Sequence, residues 1–110
     1  MVGPLKGDVV VTLFPYSDLS NAKRRPALVL APLEGDDVIL CQITSKLKVD
    51  PYAVSLEAAD FSSGQLRVSS NIRPNRLFTA DRRIIVYQAG RLTDRKLEEV
   101  LAKVSEIFGI

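Results

Sequence analysis

The sequence predicts a small β-barrel with helical additions, and three observations support this fold class. Several short apolar runs rich in β-branched residues are separated by proline, glycine and aspartate. The C-terminal residues instead repeat apolar side chains every three or four positions, as one face of an α-helix does. With 110 residues, 46% of them hydrophobic and 25% charged, the chain suits a single compact domain spanning 1–110. Short strands followed by one helix are typical of a small barrel with a helix packed on it.

Five segments are expected to be strands: residues 8–13, 27–31, 38–43, 52–56 and 66–72. The first is β-branched and lies between Gly7 and Pro15. The second and third flank a loop whose proline, glycine and aspartates suit a hairpin, so we expect them to form a central antiparallel pair. The last two alternate less cleanly, and we expect partly exposed strands there.

The chain ends in a predicted amphipathic helix that packs on the barrel. Thr93 is a suitable N-cap, Asp94 complements the positive end of the helix dipole, and Gly109 can end the helix. Segment 78–87 allows two interpretations. Thr79 could cap a short helix, whereas the run from Ile84 to Tyr87 suits a strand equally well.

Several classes of chemistry are excluded or disfavoured by residue content. The chain has no histidine, which excludes a Ser-His-Asp triad, a histidine general acid or base and the usual zinc sites. No glycine-rich nucleotide-binding pattern is present. Asp36 and Asp37 suit a turn better than a metal site. We therefore expect neither a metal nor a cofactor.

The single cysteine and the lack of long apolar runs indicate a cytoplasmic setting. Cys41 lies in an apolar run and suits a buried core position better than a reactive thiol, and one cysteine allows no intrachain disulfide. The N-terminus lacks the apolar stretch of a signal peptide, and no run approaches the roughly 20 apolar residues of a membrane span. We expect no membrane partner.

The positive charge is concentrated rather than large. The net charge is only +2, but basic residues crowd three loop-like stretches. These residues are Lys23, Arg24, Arg25, Lys46, Lys48, Arg73, Arg76, Arg82 and Arg83. They form one basic face if the fold brings the three stretches together, and are scattered solubilising charges otherwise.

Arg25 and Thr44 form a candidate phosphate site. Because Arg25 precedes Pro26, its backbone is restricted to extended conformations and its side chain enters the strand from a restrained loop. If the strands on either side of the 32–37 loop pair, Thr44 at the end of one lies near Arg25 at the start of the other. An arginine fork and a hydroxyl can hold a phosphodiester whose own 2′-hydroxyl is the nucleophile. A solvated arginine and a strand-end threonine are the alternative interpretation.

These residues also carry a family resemblance. The segment from Phe14 to Leu30, with its Arg25-Pro26 step, resembles the PemK/MazF family, the endoribonuclease toxins of bacterial toxin–antitoxin pairs. The Ile43-Thr44-Ser45 step is similar to a second family motif. Further similarities, in chain order, are Gly7-Asp8-Val9-Val10, Ser69-Ser70-Asn71-Ile72-Arg73 and Gly90-Arg91-Leu92-Thr93. The resemblance therefore covers nearly the whole chain.

The resemblance implies an SH3-like barrel that forms a homodimer and cleaves single-stranded RNA without metal, leaving a 2′,3′-cyclic phosphate and a 5′-hydroxyl. It implies catalytic roles for Arg25, which would hold the scissile phosphate, and for Thr44, which would donate a hydrogen bond to it. The implied RNA-binding residues are Lys23, Arg24, Ser45, Arg73 and Tyr16, the last by stacking on a base unless it only covers the barrel. The implied protein partner is an antitoxin whose acidic tail folds onto the basic groove.

The chain departs from the family pattern at two places. Some family members carry an acid shortly after the arginine matching Arg73, where this chain has Pro74-Asn75-Arg76. Some use a histidine in the first long loop, where this chain has Tyr16. These departures leave the proton-transfer groups open. A non-catalytic SH3-like module that binds RNA or protein, or a degenerate toxin homologue, is the alternative function.

Overall fold

A curled antiparallel sheet forms most of the molecule. The computed structural model describes residues 3–14, 23–46 and 49–110, and within these ranges seven strands form one half-barrel with a helix at the C-terminus. The elements are β1 (Asp8–Phe14), β2 (Lys23–Pro32), β3 (Asp37–Thr44), β4 (Val54–Leu56), β5 (Phe61–Gly64), β6 (Ser70–Asp81), β7 (Ile85–Leu92) and α1 (Asp94–Phe108). The strand order is β4-β6-β3-β2-β1-β7-β5. The predicted mainly β class is confirmed.

The pair β2 and β3 lies at the centre of the sheet and is buried on both faces. Leu28 pairs with Cys41, and Val29 pairs with Leu40 in antiparallel register. All four side chains are fully buried. A strand covered on both faces has a continuous apolar sequence rather than an alternating one, which is why these two runs show little alternation. The predicted central pair and the buried position of Cys41 are confirmed.

Two apolar clusters lie on opposite faces of the sheet. The first lies under α1 and contains Val9, Leu28, Leu30, Cys41, Ile43, Val54, Leu56, Ile72, Leu92 and Val100. The second contains Val10, Ala27, Val29, Val38 and Leu40, with Phe78, Ala80, Ile84 and Ile85 packed against it. Because side chains alternate along a strand, residues of β2 and β3 that continue the two-residue spacing beyond the second cluster point toward the same face of the sheet as that cluster.

The C-terminal helix begins and ends where the sequence predicts. The Thr93 hydroxyl accepts a hydrogen bond from Lys96 N at 3.2 Å, and Gly109 adopts the left-handed conformation that commonly ends a helix, with φ 72°. Val100 is buried against the sheet, and Leu97, Leu101 and Val104 pack around it. Among the described residues, no helix is long and apolar enough to cross a membrane.

Three strands differ most from the prediction. β2 begins at Lys23 and not at residue 27, so Arg25 lies within the strand and not in a loop before it. The predicted strand 66–72 is wrong in its first half, because β6 begins only at Ser70. The Ser70 hydroxyl donates to Val68 O at 3.0 Å, a local bond that competes with strand pairing. Before it, β5 was not predicted. It ends at Gly64, whose φ of 69° and close approach to Ala89 O leave no room for a side chain.

The open segment 78–87 contains two strand ends and a short turn. β6 continues to Asp81, a 3-10 turn covers Arg82–Ile84, and β7 starts at Ile85. The Asp81 carboxylate accepts from Arg83 N at 2.8 Å and so caps the turn. The strand interpretation of Ile84 to Tyr87 is therefore nearly correct, and Thr79 pairs with Ile39 within β6 rather than capping a helix.

Candidate active site

Arg25 is held at the outer end of the second apolar cluster. It pairs with Thr12 of β1, whose fully buried hydroxyl donates to Arg25 O at 3.0 Å. The Arg25 side chain is half-buried and its Nε atom is buried. Pro26 follows within the same strand and confines Arg25 to the extended backbone that the strand requires. The fold therefore fixes both the backbone and the inner part of this side chain.

Arg25 lines a cleft of about 290 Å³ at the end of the second apolar cluster. The cleft is lined by Thr12, Arg25, Pro26, Gln42, Arg76, Leu77 and Phe78. Of these described lining residues, two are arginines and none is acidic. The other lining residues are the polar Thr12 and Gln42 and three apolar residues, Pro26, Leu77 and Phe78, which form an apolar wall. A concave surface with two guanidinium groups beside an aromatic wall suits an anionic ligand that carries a flat ring.

An irregularity in β6 brings Arg76 to the cleft. Cys41 pairs with Leu77, whereas the next residue, Gln42, pairs with Arg73. The three residues between the two partners, 74–76, therefore have no counterpart on β3. Pro74 is buried and Arg76 is exposed. We call residues 74–76 the β6 bulge. Bulges redirect side chains in this way beside functional sites.

Cys41 stabilises the start of the β6 bulge. Its thiol donates to Arg73 O at 3.0 Å. Burial raises the pKa of Cys41 to about 12, although the hydrogen bond with the Arg73 backbone opposes this change. The thiol therefore stays protonated at neutral pH and remains a donor. Cys41 has a structural role next to the cleft.

A chain of hydrogen bonds borders the cleft and ends on Gln42. Tyr52 N donates to Asp50 Oδ1 at 2.9 Å, and Arg73 Nε donates to Asp50 Oδ2 at 2.9 Å. Arg73 Nη1 then donates to Gln42 Oε1 at 3.4 Å. The pKa of Asp50 lies below its usual value because of the Tyr52 N–H bond first and the Arg73 bond and charge next, which together outweigh the effect of burial. Asp50 is therefore ionised at neutral pH.

Thr44 and Ser45 follow Gln42 at the end of β3. The Thr44 hydroxyl accepts from Lys46 N and donates to Lys46 O, both at 3.1 Å, and Ser45 is exposed. The pairing between β2 and β3 ends, at this edge of the two strands, with Ala27 opposite Gln42. Continuing that register by two residues leads to Arg25 and Thr44. Neither Thr44 nor Ser45 is among the described residues that line the cleft.

The other sequence-predicted RNA-binding residues fall into three situations. Lys23 and Arg24 are exposed at the start of β2, on the same strand as Arg25. Arg73 is engaged by Asp50 and Gln42, and its side chain is 22% exposed. Tyr16 lies outside the described residues, as does Lys48.

The prediction of one basic face is wrong for Arg82 and Arg83. Arg82 lies 3.5 Å from Asp36, and Arg83 lies 2.8 Å from Asp81. Asp81 pairs with Asp37 at the start of β3, whereas the cleft lies toward the end of that strand. The two arginines therefore belong to the opposite end of the sheet and are matched by acids there.

Sequence reasoning missed three residues at or beside the cleft, Thr12, Gln42 and Asp50, and it named Arg76 only as a member of a possible basic face. Thr12 and Gln42 have the two-residue spacing that places them on the same face as Val10 and Leu40, so alternation could have found them. Asp50 reaches Arg73 from a loop, which no periodic pattern reveals. In the described part of the chain, no three Asp, Glu or Cys side chains come together as metal ligands.

Comparisons with known proteins agree with this architecture. A family model described as "PemK-like, MazF-like toxin of type II toxin-antitoxin system" matches residues 5–108. A crystal structure of MazF from Deinococcus radiodurans is 28% identical, covers 100% of both chains and has a TM-score of 0.76. A MazE-MazF crystal structure from the same organism is 27% identical, covers 99% of both chains and has a TM-score of 0.79.

A more distant structure shows the same fold. An endoribonuclease in complex with its cognate antitoxin, from a mycobacterial species, is 17% identical with a TM-score of 0.75, covering 100% of this chain and 97% of its own. The comparison with curated protein sequences gave no match.

Proposed function

Because the chain belongs to the PemK-like, MazF-like toxins of type II toxin-antitoxin systems, we propose that it is an endoribonuclease that cleaves single-stranded RNA at the Arg25 cleft. The observation that carries the proposal is the cleft in which the guanidinium groups of Arg25 and Arg76 lie beside the apolar wall of Leu77 and Phe78. Two permanent positive charges bind a phosphodiester, and the apolar wall accepts an adjoining base. A duplex would not present an unstacked base to that wall, which favours a single strand.

The proposed reaction uses the substrate's own nucleophile. The 2′-hydroxyl loses its proton as its oxygen attacks the neighbouring phosphorus, so the O2′–P bond forms while the P–O5′ bond breaks, and the leaving 5′-oxygen takes up a proton. The products are a 2′,3′-cyclic phosphate and a 5′-hydroxyl, so the step requires neither a metal nor a cofactor. Negative charge grows on the non-bridging oxygens, and Arg25 neutralises it from a position that the fold fixes in advance. Removal of one such donor costs about 3 kcal/mol of transition-state stabilisation.

Thr44 and the neighbouring basic residues complete the proposed site. Thr44 donates its hydroxyl to the scissile phosphate, which requires it to exchange its bond with Lys46 O for one with the substrate. Lys23, Arg24 and Ser45 bind flanking phosphates and Tyr16 stacks on a base, whereas Arg73 is held at the edge of the cleft by Asp50 and Gln42. Asp50 is unsuited to proton transfer at neutral pH, because a carboxylate with a lowered pKa is a weak base.

The proposed protein partner is an antitoxin, and the proposed assembly is a homodimer of this chain. A MazE-MazF complex among the structural neighbours supports an antitoxin partner. An acidic tail of such a partner would meet Arg25 and Arg76 in a cleft whose described lining contains no acid. Binding there would exclude RNA directly.

The test is cleavage of a long single-stranded RNA in excess EDTA, followed by mapping of the fragment ends. Three variants accompany the wild type: Arg25→Ala, Thr44→Val, and Arg95→Ala as a matched exposed arginine on α1. Discrete cuts bearing cyclic phosphate, lost in Arg25→Ala and kept in Arg95→Ala, are expected. Intact RNA from folded wild-type protein, across several RNA sequences, would instead identify a binding module without catalytic activity.

A further inference from the structure

The hydrogen-bond chain beside the cleft fixes one amide group in a definite orientation. Asp50 is held by Tyr52 N and holds Arg73, and Arg73 Nη1 donates to Gln42 Oε1 at 3.4 Å. The Asp50 side chain is only 4% exposed, so this series of hydrogen bonds begins at a carboxylate that is shielded from water. Gln42 is half-buried, and it both ends the series and lines the cleft.

The chemistry of arginine determines which atom of Gln42 faces it. A guanidinium group has donors and no acceptor, so the Gln42 atom beside Arg73 must be the carbonyl oxygen. The amide NH₂ group lies on the other side of the amide carbon, and no described residue accepts a hydrogen bond from it, so its two donors face the cleft as sites for a ligand. If the amide were turned so that its NH₂ group faced Arg73, two donors would meet. Arg73 cannot move away from that contact, because the ionised Asp50 holds it in place.

Three of the four polar side chains that line the cleft offer donors to a ligand. Arg25 and Arg76 supply guanidinium N–H groups and Gln42 supplies its NH₂. Thr12 already donates its hydroxyl hydrogen to Arg25 O at 3.0 Å, so only its oxygen is left, as an acceptor. Beside them lies the apolar wall of Leu77 and Phe78. This surface matches a planar ring with oxygen acceptors on its edge, and it disfavours a ring that presents an amino group there.

We propose that Gln42 is a specificity-determining residue that donates a hydrogen bond to the carbonyl oxygen of one RNA base bound in the cleft. The favoured bases at that position are guanine and uracil, which carry O6 and O4, over adenine and cytosine, which carry amino groups at the same ring positions. Asp50 and Arg73 act as positioning residues for the amide. The proposal rests on the proposed function in taking RNA as the ligand of the cleft.

The test compares base preference in two random pools. One is ordinary RNA, in which the sequences around the cuts are read. The other is 2′-fluoro RNA, which lacks the nucleophile, and there the bound fraction is sequenced. The variants are Gln42→Glu, which replaces the NH₂ donor by an acceptor, and Gln42→Met, which removes both polar groups at similar length. Thermal unfolding of each variant verifies that it folds.

The expected result is one position at which wild type prefers guanine or uracil by roughly 10-fold or more, the usual size of a good base contact. Gln42→Met should reduce this preference to less than about threefold, and Gln42→Glu should reverse it toward adenine or cytosine. Asp50→Asn should weaken it in the same direction as Gln42→Met. Because the preference is a ratio within one protein, a general loss of affinity in Gln42→Glu does not alter it.

The outcomes separate this inference from the proposed function. If wild type cuts RNA and both Gln42 variants keep the same preference at every position, the role of Gln42 is overturned while the endoribonuclease proposal stands. If wild type cuts nothing but the 2′-fluoro pool shows a preference that the Gln42 variants change, the role of Gln42 stands without catalysis. Absence of any keto-base preference in either pool overturns it.

Discussion

Two cationic sites on the same sheet differ in what surrounds the positive charge. At the helix end, Lys96 Nζ lies 3.0 Å from Ser55 O, 3.0 Å from Glu99 Oε1 and 3.6 Å from Asp60 Oδ2. At the cleft, Arg25 and Arg76 line a concave surface whose described residues include no acid. The first arrangement uses charge to join α1 to the strands. The second places two guanidinium groups beside a concave space that a ligand can occupy.

Arg73 is intermediate between these two sites. Like Lys96, it is matched by a shielded acid, since Asp50 lies 2.9 Å away. Like Arg25, it lies close to the cleft, which it reaches through Gln42. Because a shielded carboxylate fixes Arg73 in place, its role at the cleft is to orient Gln42.

The largest expected effect is the loss of RNA cleavage in Arg25→Ala. We expect kcat to fall by about 10² to 10³-fold, because a preorganised donor to the transition state is removed. The thermal midpoint should change little, since the residue lies at the edge of an apolar cluster rather than within it. Single-turnover cleavage and calorimetry on the same samples measure the two quantities. A large fall in midpoint with unchanged cleavage per folded molecule would place Arg25 with Lys96 as a structural charge.

Lys96→Ala should show the opposite behaviour, with lost stability and intact cleavage. We expect the free energy of unfolding to fall by about 2 kcal/mol, because Ser55 O and the Asp60 and Glu99 carboxylates lose a shared cation. Lys96→Met keeps the apolar stem of the side chain and separates packing from charge. Urea denaturation measures the loss. Weakened RNA cleavage at a temperature where the variant is fully folded would contradict the division between the two sites.

Arg76→Ala should have a moderate effect on RNA binding. Arg76 is exposed and projects from the β6 bulge, so we expect it to contact one phosphate and its loss to weaken binding about tenfold, or ~1.4 kcal/mol. The dependence of log K on log salt concentration should become shallower by about 0.7, the value for one phosphate contact on a single strand. Titrations of labelled 2′-fluoro RNA at several salt concentrations measure both. Arg95→Ala, on α1, is the matched control and should change neither.

The sequence predicted the regular parts of this molecule and only half of the cleft. The central pair β2 and β3 followed from continuous apolar runs, and α1 followed from its cap and its periodicity. Arg25 was identified through its neighbour Pro26. These features depend on residues close together in the chain, where local conformational preferences decide the outcome.

The missed features depend on register and on loop contacts. Arg76 reaches the cleft only because three residues of β6 have no partner on β3. Asp50 meets Arg73 across 23 positions of sequence. A single inserted residue changes which side chains share a face, so such pairings cannot be read from alternation alone. The segment Pro74-Asn75-Arg76, noted above for its missing acid, contributes Arg76 to the cleft.

The smallest expected effect is a pH-dependent change in stability in Asp50→Asn, which tests whether Arg73 belongs with Lys96. Loss of one charged hydrogen bond should lower the free energy of unfolding at pH 7 by about 1 kcal/mol. The pKa of Asp50 is lowered in the folded protein, so the unfolded chain binds the proton first as pH falls. The stabilisation is therefore complete above the unfolded pKa of about 3.9 and disappears as pH falls through the lower folded pKa.

The stabilities of wild type and Asp50→Asn should consequently begin to converge below about pH 4 and should meet only below the lowered pKa of folded Asp50, where the protonated side chain resembles asparagine. Urea denaturation between pH 3 and pH 7 measures the difference, and Asp37→Asn, at an exposed position on β3, serves as the control. A difference that stays constant down to pH 3 would show that the Asp50–Arg73 ion pair does not contribute to stability. Arg73 would then be available to bind phosphate, as the family resemblance implies, and would belong with Arg25 rather than with Lys96.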